Sequence, residues 1–198
     1  IEKGTSKSHS KIKKFIKLKK KKAQQLIDLI TDTSIHYLKE QIRNGADYVK
    51  IFDSWAGLLD GNDYQRFIIE PNRKISKAIN KFSPETKQIF FPRGSSKNYL
   101  EFLKKVEPKI LALDKNYPSI IHTIAKEKNI TLQGNLDPQT LLAGGEKLIA
   151  ETKDVLEKFK QNKHIFNLSH GVLPQTPIEN VKLVVDIVRK YNDTIKSC

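Results

Sequence analysis

Phe52-Asp53-Ser54-Trp55-Ala56-Gly57, Gln133-Gly134-Asn135-Leu136-Asp137-Pro138 and Phe166-Asn167-Leu168-Ser169-His170-Gly171 carry the strongest architectural signal in this chain. Each sets a polar or glycine-containing turn directly after a short apolar run, and such runs alternate with helical patterns. This arrangement predicts that side chains from separate βα units gather at one end of a parallel sheet. Open α/β sheets and barrels place their ligands there.

The flanking sequence repeats the pattern. Short apolar runs predict strands at 49–52, 88–91, 109–113, 130–132 and 164–168. Ile12, Phe15 and Ile16, then Leu26, Ile30, Leu38 and Ile42, have helical spacing ahead of the first strand. The second of these helices is predicted over 23–43, with Asn44-Gly45 as its stop. Further helices are predicted at 64–82, where Pro71 must end or kink the first part, and at 100–106, 118–128, 146–161 and 178–191. A strand followed by a helix, five times over, means parallel pairing through right-handed crossovers. The strands are apolar on both faces, as buried parallel strands are. A doubly wound sheet and a barrel both fit this order. No G-x-G-x-x-G follows any strand, which removes the dinucleotide-binding fingerprint. A (β/α)8 TIM barrel has eight strands and about 250 residues. The expectation is therefore an α/β chain forming one domain over 1–198: an incomplete TIM barrel of about five βα units.

Composition narrows the function classes. The chain begins at Ile1 and contains no methionine, so it is read as part of a longer or processed product. Cys198 is the sole cysteine, which rules out a disulfide framework or a cysteine metal cluster within one chain. No apolar run approaches the roughly 20 residues of a membrane span. Ile1 to Lys22 has no signal-peptide core either, so the expected location is cytoplasmic, with no membrane partner. The net charge of +14 raises the question of nucleic acid. Arginine, the preferred base and phosphate reader, occurs only at 43, 66, 73, 93 and 189. The lysines are spread over predicted helix surfaces. The charge is read as solvated surface, and no nucleic-acid partner is expected.

The residues after the predicted strands are Asp53 and Ser54, Arg93 and Gly94, Asp114, Gln133 to Asp137, and Ser169 to Gly171. All fall at one end of the sheet. Ser54 with His170 has the residue types of a nucleophilic pair, but Ser54 lacks a G-x-S-x-G elbow, so an anchoring hydroxyl fits better. His170 can serve as an acid or base, a metal ligand or a donor to a carboxylate. Asn135 and Asp137 can equally satisfy turn amides and cap the following helix. Asp114 is expected to hold a lysine or cap the helix near Pro118. Trp55 is either a packing ring or a ligand wall. His9, His36, His122 and His164 read as surface or packing, and no His/Asp/Glu group has metal spacing.

These motifs resemble the uroporphyrinogen decarboxylase family: Phe-Asp-Ser-Trp-Ala-Gly at 52–57, Leu-Gln-Gly-Asn-Leu-Asp-Pro at 132–138, and Asn-Leu-Ser-His-Gly at 167–171 followed by Pro174. Ile1-Glu2-Lys3-Gly4 resembles an Ile/Val-Glu-Gly-Gly segment of that family. The resemblance implies a cofactor-free, homodimeric barrel. Its reaction removes carbon dioxide from the four acetate arms of uroporphyrinogen III, giving coproporphyrinogen III for haem synthesis. It implies that Ser54 and His170 contact substrate carboxylates, and that Asp53, Asn135 and Asp137 shape the cleft. It also implies that this chain is roughly the C-terminal three fifths of such an enzyme. The family's arginine-rich loop, central aspartate and tyrosine would then lie upstream of Ile1. No catalytic residue is expected within the chain, which alone should not turn over. Two positions depart from the family pattern: Lys115 follows Asp114 where an aromatic is usual, and Ser169 replaces a common glycine.

Two other classes share parts of this pattern. Related barrel methyltransferases acting on thiols or corrinoids need a histidine and cysteine zinc site, which this sequence does not offer. A non-catalytic remnant or a basic binding protein is the alternative from a different class.

Overall fold

A computed structural model describes residues 8–196; Ile1-Glu2-Lys3-Gly4 and Cys198 lie outside the described residues. Two helices, α1 (Ser10–Leu18) and α2 (Lys20–Arg43), precede the first strand, β1 (Tyr48–Asp53). After β1 come a 3-10 turn (Ala56–Leu58), α3 (Gly61–Tyr64), one π turn (Gln65–Ile69) and α4 (Glu70–Phe82). The remaining elements are β2 (Lys87–Pro92), α5 (Tyr99–Val106), β3 (Ile110–Ala112), α6 (Ile120–Glu127), β4 (Thr131–Leu136), α7 (Pro138–Ala143), α8 (Gly145–Phe159), β5 (His164–Leu168) and α9 (Ile178–Lys196).

All four strand pairs are parallel, and the strand order is β1-β2-β3-β4-β5. A doubly wound sheet reverses direction part-way along its order. This one never does. With crossovers of one hand, the helices that join the strands pack on one face and the sheet curls toward its other face. The sheet is open, so the molecule is an α/β incomplete barrel, as the sequence predicts.

The pleat separates two environments. Phe90, Leu111, Leu132 and Leu136 face the helices and join Phe102, Leu103, Ile121, Leu148 and Phe159 in the main core. Burial of each such side chain stabilises the fold by about 1.5–3 kcal/mol. Ile89, Phe91, Ile110, Ala112 and Ile165 form a separate cluster of strand residues on the concave face. The Nζ of Lys50 on β1 donates to Oε1 of Gln133 on β4 at 2.6 Å. That bond reaches over the two intervening strands, which is possible only because the sheet is curved.

Three sequence expectations change. Burial on both faces holds for β2, β3 and β4 but not for β1 and β5, the outer strands. Phe52, on the outer strand β1 of the open sheet, is 65% exposed. Second, Gln133, Gly134 and Asn135 lie inside β4, not in a turn beyond it: the strand continues to Leu136, paired residue for residue with β5. Third, Pro71 neither ends nor sharply breaks its helix. It lies in the first turn of α4, directly after the π turn. The wider turn accommodates a ring that lacks an N–H and would crowd the preceding carbonyl.

Candidate functional site

The segments leaving the carboxyl ends of the five strands are tied to one another in order around the rim. The N–H of Arg93, after β2, donates to the carbonyl of Asp53 at 3.1 Å, and the N–H of Gly57 donates back to the carbonyl of Arg93 at 2.9 Å. A Cβ on Gly57 would collide with the backbone carbonyl of Gly94, so these loops pack main chain on main chain. Gly94, at φ +76°, donates its N–H to Oδ2 of Asp114 at 2.6 Å. Oδ1 of Asp114 accepts from the N–H of Asn116 at 3.2 Å, and its backbone carbonyl accepts from Nδ2 of Asn135 at 3.0 Å. Finally, the N–H of Ser169, after β5, donates to the carbonyl of Leu136 at 2.8 Å.

Each candidate residue has a definite place on this rim. Ser54 is half-buried in the turn after β1, and His170 is exposed in the bend after β5. They share the carboxyl end of the sheet but follow its two outermost strands. Four strand spacings put them roughly 19 Å apart along the sheet. Asn135 is buried, and its amide is committed to the Asp114 carbonyl. Asp137 caps α7 by accepting from the N–H of Gln139 at 2.9 Å, as its position before Pro138 predicts. It also pairs with Lys115 Nζ at 2.7 Å, which holds its carboxyl below the ordinary range. The expectation that Asp114 holds a lysine or caps a helix is therefore corrected. Asp137 takes the lysine, whereas Asp114 sits within reach of two backbone N–H donors and is consumed by them.

Asp53 points toward α4, where Nδ2 of the buried Asn72 donates to its Oδ2 at 3.3 Å. Part of the residue remains accessible, but its carboxyl group is enclosed. Loss of water raises its pKa from 3.8 to about 6, with the Asn72 bond opposing the shift. Asp53 also borders a largely apolar cavity of about 630 Å³ between α1, α2 and β1, together with Phe52 and Trp55. Burial lowers the pKa of Lys50, whose Nζ lies 4.6 Å from the Phe52 ring centroid. His164 packs its ring on Phe159 with centroids 4.2 Å apart, and burial lowers its pKa. That agrees with a packing histidine.

Arg93 and Trp55, both singled out in the sequence, meet on this rim. Trp55 is 59% exposed, the His9 ring lies against it with centroids 4.5 Å apart, and the guanidinium of Arg93 lies 6.0 Å from its centroid. The scarcity of arginine and its position after a strand were the available signals. Among the described residues, no group of three or more His, Cys, Asp and Glu is placed to hold a metal ion.

The family model described as Uroporphyrinogen decarboxylase (URO-D) matches residues 1–191. This chain belongs to the uroporphyrinogen decarboxylase family. It is 43% identical over 180 residues to the uroporphyrinogen decarboxylase of Rickettsia bellii (strain RML369-C), covering 90% of this chain and 52% of that protein. It is 40% identical over 164 residues to that of Paracoccus denitrificans (strain Pd 1222), covering 83% and 48%. The chain thus spans about half the length of the curated relatives it matches. A solved methyltransferase from Methanosarcina mazei superposes with a TM-score of 0.74 at 27% identity, covering 91% of this chain and 54% of that structure. That methyltransferase shares its architecture, and the family match is to the decarboxylases. No helix among the described residues is long and apolar enough to cross a membrane.

Proposed function

We propose that this protein serves in the cofactor-free decarboxylation of the four acetate side chains of uroporphyrinogen III to coproporphyrinogen III, in the cytoplasm and as part of a homodimeric enzyme. The observation that carries this reading is the tied rim. It presents the three family motifs at one end of a curved parallel sheet.

Loss of carbon dioxide from a pyrrole acetate proceeds through protonation of the ring, which creates a cation. A carboxylate near the pyrrole nitrogens stabilises that charge, while fixed donors hold the carboxylates that are not reacting. Ser54 and His170 are assigned as donors of this kind, with Asn135, Asp137 and Asp53 shaping the cleft beneath them. The rim acids of this chain are already engaged: Asp53 by Asn72, Asp114 by two backbone N–H groups, and Asp137 by Lys115. Their engagement supports a central carboxylate supplied from outside these 198 residues, without which the chain does not turn over.

The test is anaerobic incubation with uroporphyrinogen III, followed by oxidation and chromatography of the porphyrins. The protein expressed from its whole reading frame should yield coproporphyrin through intermediates with successively fewer carboxylates. Unchanged substrate would refute the decarboxylase reading. Turnover by residues 1–198 alone would refute the external carboxylate.

A further inference from the structure

Arg93 combines three features. Its main chain is held on both sides, because its N–H donates to the carbonyls of Asp53 and Phe91 at 3.1 and 3.0 Å and its carbonyl accepts from Gly57. Its guanidinium lies 6.0 Å from the Trp55 ring centroid, beside a ring that His9 also meets at 4.5 Å. Among the described residues, that guanidinium has no hydrogen-bond or carboxylate partner, whereas Arg43 pairs with Glu40, Arg73 with Glu70, and Arg66 with Gln24. A guanidinium resting on an aromatic face keeps its in-plane N–H donors available for a bidentate carboxylate. The ring beneath it is exposed at the carboxyl end of the sheet, one residue after Ser54.

We propose that Arg93 and Trp55 form a further subsite of the cleft, in which the Arg93 fork receives a substrate carboxylate and the exposed part of the Trp55 ring borders the pyrrole that bears it. This rests on the decarboxylase reading for the identity of the ligand. The subsite distinguishes a carboxylate that stays from one that leaves. A carboxylate neutralised by a guanidinium holds its electron pair on oxygen and is poorly disposed to lose carbon dioxide, so Arg93 acts as a binding and positioning residue.

Trp55 is the only tryptophan of the 198 residues, so its fluorescence reports on the subsite directly. Uroporphyrin III is the probe, titrated into the wild-type protein and into Arg93→Gln, Arg93→Lys and Arg73→Gln, with Trp55→Phe to assign the signal. Arg93→Gln should weaken uroporphyrin binding about ten- to hundredfold, the loss expected for a charge-assisted bond. Arg93→Lys should recover part of the affinity and Arg73→Gln should match wild type. In turnover, Arg93→Gln should raise KM with little change in kcat.

A wild-type Kd retained by Arg93→Gln, or no quenching of Trp55 by uroporphyrin, overturns the subsite. Equal losses in the Gln and Lys variants, accompanied by a lowered Tm, also overturn it, because they mark a structural contact. In the protein expressed from its whole reading frame, Arg93-dependent binding without turnover would sink the decarboxylase reading alone. Turnover with Arg93-independent binding would sink the subsite alone.

Discussion

The rim following β1 to β4 and the segment following β5 share one end of the sheet but are built differently. Around the first, backbone meets backbone at Gly57 and Gly94, and Asp114 spends both carboxylate oxygens on neighbouring N–H groups. Around the second, the Ser169 N–H is tied to Leu136, but His170, Gly171 and Val172 are exposed. Ser54 therefore stands on a pre-placed scaffold, whereas His170 stands on a segment that a ligand can still adjust. Preorganisation lowers the entropy cost of binding on one side, and the exposed side leaves room for a ligand to adjust it.

The largest expected effect follows from tightening this contrast to failure. Gly57→Ala forces the β1 and β2 loops apart, because its Cβ meets the Gly94 carbonyl. A destabilisation of about 3 kcal/mol or more is expected in urea unfolding, and a value near zero would show that the rim is loosely packed after all.

Asp53→Asn tests the buried acid beneath the same scaffold. The folded pKa of about 6 lies above the ordinary 3.8, so protonated Asp53 favours the fold fully below about pH 4, and that contribution is lost as pH rises through 6. Relative to wild type, Asp53→Asn should gain about 2–3 kcal/mol at pH 8 and nothing at pH 4. Equal unfolding curves at pH 8 would mean that the carboxyl is solvated.

The smallest effects concern substrate. His170→Ala should raise KM about tenfold while leaving Tm unchanged, since the ring is exposed and the lost donor is charge-assisted. Ser54→Ala should cost about 0.5–1.5 kcal/mol of binding, as for a neutral bond. Complete inactivation by Ser54→Ala would make it more than an anchoring donor.

Much of the architecture was legible. β5 coincides with the predicted 164–168, and the other strands lie within a few residues of their predicted positions, because apolar runs bounded by Gly, Pro and Asn leave few alternatives. The end of β4 was misread: Gly134 looks like a turn residue, yet pairing with Phe166 keeps it in the strand. The helix-cap role of Asp137 followed from its position before Pro138. Its pairing with Lys115 depends on how β3 and β4 lie side by side, which no local pattern encodes.

Alternation of apolar runs with helical periods determined that this chain would form parallel βα units, because those periods are properties of neighbouring residues. Whether the units wind singly or doubly was left to the tertiary structure, since strand order depends on which edge each new strand joins. The Gly94 partner of Asp114 and the neighbours of Trp55, His9 and Arg93, were likewise settled only in three dimensions. The bond from Gly94 to Asp114 joins residues 20 positions apart and arises only where packing closes the distance.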